Sequence, residues 1–235
     1  MINYQKENAY DYENGFILTS EMFRLGNILS HYELYKRIIN VPGEIVELGV
    51  FKGSSFIQWG TFRELLENKN SRKIIGFDVF GNFPEGALQG DAQFIEEWNE
   101  ETGNSFLTKE DLEVVLSEKS ITNYELVKGN ILETIPQYLK SNPHLRISML
   151  HVDCDVYEPS KIGLEMLFDR VVRGGIIAFD DYGIIEGETL AVDEFFSDKT
   201  EYKMERFTFS HMKPTFIEKN KEDYGYEVLY KMYYA

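Results

Sequence analysis

Two short apolar runs, each ending in a pair of carboxylates, constrain this chain more than any other feature. The first is RISMLHVDCD, from Arg146 to Asp155, and the second is GGIIAFDDYG, from Gly174 to Gly183. Both are rich in aliphatic and β-branched residues, so both read as buried strands with acids at their carboxyl ends. Strand side chains alternate faces, which sets Asp153 and Asp155 on one side and turns Cys154 into the packing on the other. If the two strands are parallel neighbours, their tips stand roughly 5 Å apart, and Asp153, Asp155, Asp180 and Asp181 crowd one rim.

Such a rim is costly when bare. Two like charges about 4 Å apart repel by roughly 4 kcal/mol at the effective dielectric near a protein surface, enough to force protons onto some of these acids at neutral pH. A bound dication relieves the repulsion. The donors on offer are hard oxygens with no suitably paired His or Cys, which makes the choice Mg²⁺, Mn²⁺ or Ca²⁺ rather than Zn²⁺. A lone Asp-x-Asp is ordinarily a solvated loop start or a helix cap. The second acidic strand end shifts the balance toward a metal.

The length of 235 residues suits one α/β domain with extra elements, spanning 1–235. Forty acidic against 24 basic residues leave a formal charge of -16, which repels phosphate backbones and anionic lipid surfaces, so neither nucleic acid nor membrane is an expected partner. The opening MINYQKENAYDYENGF has no signal-peptide core and no apolar run reaches membrane-span length. The single cysteine, Cys154, makes no internal disulfide. A cytoplasmic location is the expectation.

Along the chain, residues up to about Ile17 read as a polar, Tyr-rich lead-in. Thr19 then caps a helix whose apolar positions run from Met22 to Ile38, before the stop at Val41-Pro42-Gly43. This N-terminal section, 1–42, is expected to pack across the sheet edge or over the ligand mouth. In GEIVELGVFKGSSFIQW, Ile45 to Leu48 form a strand beside Glu47, Gly49 and Gly53 free the turn, and Ser54 and Ser55 open a helix. Together these make a seat for a nucleotide or cofactor. The seat is neither a P-loop, since Lys52 precedes Gly53, nor a G-x-G-x-x-G, since the spacing is E-x-G-x-x-x-G.

A second strand, Lys73 to Asp78, ends in an acid positioned to accept hydrogen bonds from both hydroxyls of a ribose. The connection 80–107 is rich in Gly, acids and aromatics and reads as a lid. Tyr124 to Lys128 is a further strand. After it, Gly129, Asn130 and Ile131 either flank a purine or form an ordinary turn. Lys203 to Phe209, Phe216 to Ile217 and Tyr226 to Tyr233 read as closing strands, the last antiparallel. His151 shares the Asp153 face but sits deeper, as a satisfied core histidine; His31 and His144 read as structural or exposed. His211, in the FSHMKP turn, is a candidate to touch substrate.

Taken together, Glu47-Leu-Gly49-Val-Phe-Lys-Gly53-Ser54-Ser55, the Gly76-Phe-Asp78 strand end, His-Val-Asp153-Cys-Asp155-Val-Tyr157-Glu-Pro and Ile-Ala-Phe-Asp180-Asp181-Tyr182-Gly resemble the macrocin O-methyltransferase family over most of the chain. The resemblance implies a class I methyltransferase fold, Rossmann-like, with a seven-stranded, mostly parallel sheet. It implies S-adenosylmethionine as cofactor, bound by Glu47, Gly49, Gly53, Ser54, Ser55, Asp78, Asn130, Ile131 and Asp153. It also implies Mg²⁺ held by Asp153, Asp180 and Asp181, with Asp155 as general base and a sugar hydroxyl of a small molecule as acceptor. The family likeness and the Tyr-rich ends suggest a homodimer. Two other readings stay open at this stage. One is a nucleotide-sugar glycosyltransferase that uses Asp-Cys-Asp to hold its metal, and the other is a non-catalytic S-adenosylmethionine-binding protein.

Overall fold

The computed structural model describes residues 5–83, 91–102, 106–210 and 214–219. Its strands are β1 (Glu44–Leu48), β2 (Ile74–Asp78), β3 (Tyr124–Lys128), β4 (Ile147–Val152), β5 (Val171–Phe179), β6 (Glu205–Arg206) and β7 (Thr215–Glu218). They form one seven-stranded sheet in the order β3-β2-β1-β4-β5-β7-β6. The first five strands pair in parallel, while β7 runs antiparallel to both β5 and β6.

Every residue of β4 is buried, as a central parallel strand covered on both faces requires. On one face, Val46, Leu48, Ile75, Phe77, Leu150, Val152, Ile177 and Phe179 pack against α6 (Ile131–Ser141), α7 (Tyr157–Leu167) and α8 (Glu186–Phe196). On the other, Ile45, Ile74, Met149 and Ile176 pack against α2 (Met22–Ile38), α3 (Ser54–Leu66) and α5 (Lys109–Glu118). Strand order reverses between β1 and β4. The chain steps outward from β1 to β3, then returns to the other side of β1, which opens a crevice at the carboxyl ends of these two neighbours.

The N-terminal section departs from expectation. Residues read as a lead-in form a helix, α1 (Ala9–Thr19), and Thr19 is its last residue rather than the cap of the next. The Thr19 hydroxyl donates to the Gly15 carbonyl at 2.6 Å, the back-bond a threonine makes in a final helical turn, and Glu21 stands at the N-cap of α2. The expected strand from Lys203 to Phe209 shrinks to β6. Phe207 turns away to pack on Phe209 and Phe216, and the Ser210 amide closes a turn on the Phe207 carbonyl. Within 80–107 the described part holds a short helix, α4 (Ala92–Thr102). Residues 84–90 and 103–105, His211 and the expected strand 226–233 lie outside the described residues. No described helix is long and apolar enough to cross a membrane.

Below the sheet, opposite the crevice, Arg72 ties the fold together. Its guanidinium, 5% exposed, pairs with Glu67 at 2.8 Å. It also donates to the carbonyls of Ile38 and Ile39 at the end of α2, to Val41 and Gly43 before β1, and to Ser148 Oγ in β4. One side chain thus satisfies carbonyls at the end of α2 and before β1 together with a hydroxyl in β4. Arg72→Ala leaves those acceptors and the Glu67 carboxylate buried without their donor, and is expected to cost about 3–5 kcal/mol in chemical denaturation. A loss under 1 kcal/mol would show that water replaces the guanidinium there.

Candidate active site

The crevice is built first from backbone contact. Gly49, directly after β1, has φ +86, and a Cβ there would lie 1.8 Å from the Asp153 carbonyl oxygen. Only glycine lets the tip of β1 touch the tip of β4. Gly53 (φ +77) stands at the N-cap of α3, where a Cβ would meet Leu112 Cδ1 at 2.7 Å. Between these glycines and the strand ends lies a cavity of about 1120 Å³. Gly49, Ser54, Ser55, Asp78, Asn130 and Ile131 line it together with Asp153, Asp155, Asp180 and Asp181.

Three of the expected cofactor contacts need revision. Glu47 is fully buried and off the cavity wall; one of its oxygens accepts from Ser55 Oγ at 2.7 Å. It supports the cavity floor through Ser55. Gly53 likewise serves the turn from behind the wall. Asp78 does face the cavity, but its carboxylate already accepts from the Val50 amide at 2.7 Å, the Phe51 amide at 2.9 Å and the Phe80 amide. A carboxylate offers about four acceptor positions, so room remains for one ribose hydroxyl rather than two. Those amides belong to two turns, one after β1 and one after β2, in which Phe51 and Phe80 are each left-handed (φ 48 and 49), conformations the Asp78 hydrogen bonds hold in place. Asn130 lines the cavity and also caps α6, its side chain accepting from the Leu132 amide at 3.0 Å.

The acids converge as the two strand ends require. Asp153, Asp180 and Asp181 each present an oxygen such that all three lie within 4.8 Å of one another. Burial and the neighbouring Asp180 push Asp153 well above the usual carboxylate range. Asp155 reaches the cavity by a different route from strand alternation. β4 stops at Val152, and Asp155 is left-handed at φ +61, a region aspartate tolerates better than most residues. Cys154, between them, is buried as expected. The donor set is hard oxygen throughout, with the raised Asp153 showing how strongly the group lacks positive charge, so the residues present fit Mg²⁺.

Four further side chains belong to the site. Glu188, fully buried in the first turn of α8, accepts from the Asp181 amide at 2.9 Å, and its carboxyl is pushed up by burial and then by Asp153 and Asp155. Asp91, 4% exposed, accepts from the Tyr157 amide at 2.9 Å at the start of α7. Asn27 donates to Asp180 Oδ1 at 3.4 Å, and His31 Nε2 lies 3.7 Å from the same oxygen. His31 shares the inner face of α2 with Leu34, Tyr35 and Ile38, so helical spacing alone could have placed it inward. His151 needs correcting. It is buried but not satisfied: Nδ1 is 3.9 Å from Glu47 and Nε2 is 3.8 Å from Asp180, and neither nitrogen has a hydrogen-bond partner among the described residues. Burial disfavours its charge, yet Asp180 and Glu47 outweigh burial and raise its pKa well above the usual imidazole value.

Comparison with known proteins agrees with this architecture. Over 165 residues the chain is 28% identical to the demethyldecarbamoylnovobiocin O-methyltransferase of Streptomyces niveus, an alignment that covers 66% of this chain and 59% of that protein. It is also 28% identical over 149 residues to the 8-demethyl-8-(2,3-dimethoxy-alpha-L-rhamnosyl)-tetracenomycin-C 4'-O-methyltransferase of Streptomyces olivaceus, covering 61% and 54% of the two chains. The chain thus spans little more than half the length of these curated relatives. Among solved structures, an apo TDP-rhamnose 3'-O-methyltransferase of calicheamicin biosynthesis superposes with a TM-score of 0.67 at 26% identity, covering 94% of this chain and 89% of that one. The O-methyltransferase NovP superposes with a TM-score of 0.71 at 21% identity, covering 83% and 80%, a likeness of fold. Residues 24–205 match the family model described as Macrocin-O-methyltransferase (TylF). Because that match takes in most of the chain, the protein belongs to the macrocin O-methyltransferase family.

Proposed function

We propose that this protein transfers a methyl group from S-adenosylmethionine to a sugar hydroxyl of a small molecule, in a reaction assisted by Mg²⁺. The observation that carries the reading is the meeting of three carboxylates, Asp153, Asp180 and Asp181, beside the glycine turn in a single cavity. Family membership favours methyl transfer over the glycosyltransferase reading. Two curated relatives are named for methylation in glycosylated antibiotics, and a structural relative for methylation of a nucleotide sugar, which is the range of acceptors to test.

When bound, S-adenosylmethionine supplies an electrophilic methyl group, and Mg²⁺ supplies the positive charge that favours the ionised form of a hydroxyl. Gly49, Ser54 and Ser55 would face the cofactor at the glycine turn, Asp78 would accept one ribose hydroxyl, and Asn130 and Ile131 would flank the base. Asp153, Asp180 and Asp181 would hold the metal. Asp155 remains outside that triad on the same cavity wall and would take the proton of the acceptor hydroxyl, whose oxygen would gain the methyl group while the electron pair of the broken sulfur–methyl bond stays on sulfur. Glu188 fixes the Asp180-Asp181 turn through the Asp181 amide, and Asn27 steadies Asp180 from α2. Holding the hydroxyl in line with the methyl group is itself a large part of the acceleration. The exposed apolar side chains of α1, Ile17 and Leu18 among them, support the expected homodimer.

Removal of divalent ions by EDTA is expected to abolish methyl transfer to a panel of free glycosides and nucleotide sugars, with Mg²⁺ restoring it; an unchanged rate after chelation would exclude the metal. Asp155→Asn is expected to keep metal and cofactor binding in calorimetry while turnover falls by roughly 10²–10⁴-fold, the range of general base catalysis. A variant that turns over normally would remove Asp155 from that role. Mass spectrometry of the ligand retained by the purified protein is expected to show S-adenosylmethionine or its demethylated product; a uridine or guanosine nucleotide would revive the glycosyltransferase reading.

A further inference from the structure

Behind the carboxylate triad, on the α2 and α3 side of the sheet, lies a buried group that methyl transfer as proposed does not use. His31 and His151 are 2% and 0% exposed, and their rings stand 5.2 Å apart at 76°. Nε2 of each approaches the same oxygen, Asp180 Oδ1, at 3.7 Å from His31 and 3.8 Å from His151. These separations are too long for hydrogen bonds. Neither Nε2 has a hydrogen-bond partner among the described residues. Leaving a buried polar atom unpaired costs about 1–3 kcal/mol, so two of them aimed at one carboxylate oxygen call for an occupant.

The far side of the His31 ring is prepared as well, while His151 has a carboxylate nearby beyond hydrogen-bond reach. Gln58 Oε1 lies 2.9 Å from His31 Nδ1, and Glu47 Oε2 lies 3.9 Å from His151 Nδ1. With the Gln58 carbonyl oxygen accepting the Nδ1 hydrogen, His31 turns the lone pair of Nε2 toward Asp180. An oxygen behind the remote ring nitrogen is the arrangement that orients metal-bound imidazoles.

We propose that His31, His151 and Asp180 form a second cation site, sharing Asp180 with the carboxylate triad, that takes a borderline divalent ion such as Zn²⁺, Co²⁺ or Ni²⁺. Two donors about 2.0–2.2 Å from one ion stand up to ~4 Å apart, which accommodates both separations from Asp180. All three donor atoms lie within 4.8 Å of one another. Imidazole donors favour these ions over Mg²⁺, so the two adjoining sites sort metals by donor chemistry. The surrounding charge supports a second cation. Asp153, Asp155, Asp180 and Glu188 act on one another electrostatically, with Glu47 and Asp181 adjoining, and one dication offsets only part of that negative charge. An ion has a way in, because His31 and Asp180 both line the cavity. Its ligands come from α2, from β4 and from the residue after β5, so the ion pins α2 against the sheet tips.

The competing occupant is a proton on His151 shared between Asp180 and Glu47, and one titration separates the two. The full chain, stripped of metal and then saturated with Mg²⁺, is titrated with Co²⁺. The expected result is one tightly held Co²⁺ per chain with the intense visible bands of nitrogen-containing four- or five-coordination, and affinity weaker by roughly tenfold or more in His31→Gln. A weak six-oxygen spectrum in the unaltered protein, or Co²⁺ bound only in competition with Mg²⁺, overturns the site whatever the variant does. Circular dichroism of His31→Gln shows whether a lost affinity reflects a lost ligand; if the variant is unfolded, the spectrum of the unaltered protein decides. Methyl transfer is not read in this experiment, so its failure leaves the proposed reaction standing.

Discussion

Carboxylates held closer together than water would let them rest are the constraint around which the crevice is arranged. Asp153, Asp155, Asp180, Asp181 and Glu188 share a small volume in which Asp181 and Glu188 are buried and the others are only partly open to solvent. Nothing in hydrophobic packing rewards this. The surrounding core, two layers of aliphatic and aromatic side chains on either face of the sheet, provides the excess stability that lets so unfavourable a rim persist.

Rigidity below the sheet is what keeps that rim in register. Arg72 links the end of α2 and the entry to β1 through their carbonyls and the start of β4 through the Ser148 hydroxyl, and Arg63, fully buried, donates to the Arg72 and Asn123 carbonyls at the edge formed by β2 and β3. The strand ends above are therefore fixed from beneath. Contact between Gly49 and the Asp153 backbone then transmits the position of the cofactor turn directly to the acids, without a side chain between them. The glycine turn and the carboxylates are thus placed by one backbone contact and share a common reference frame.

α2 has a larger part than its sequence advertised. It covers the sheet through Leu34, Tyr35 and Ile38, and it also delivers Asn27 and His31 to Asp180. The N-terminal section therefore contributes to the chemistry of the rim as well as to its cover. His151 was misread for a related reason. Strand alternation set it on the Asp153 face, and the β1–β4 register puts it opposite Glu47, but alternation says nothing about whether a buried nitrogen finds a partner.

Much of the fold, and the meeting of Asp153 with Asp180 and Asp181, was legible because both depend on short-range patterns. Aliphatic runs ending in acids, a glycine turn between strand and helix, and helical spacing from Met22 to Ile38 need no knowledge of distant neighbours. The failures came where one residue had two claimants. Thr19 suits a helix start or a helix end, and only the continuation of α1 decided between them. Asp78 was placed at the cavity by its strand, yet its lone pairs were taken by amides of the glycine turn, a contact between residues 27 and 28 positions apart. From the sequence alone came a sheet with acids at two adjoining tips, since side-chain period and residue type are local properties. Tertiary structure alone decided which acids face the cavity, which lie beneath it, and that two histidines from separate elements meet at Asp180, because those facts depend on how helices dock and not on what any segment prefers by itself.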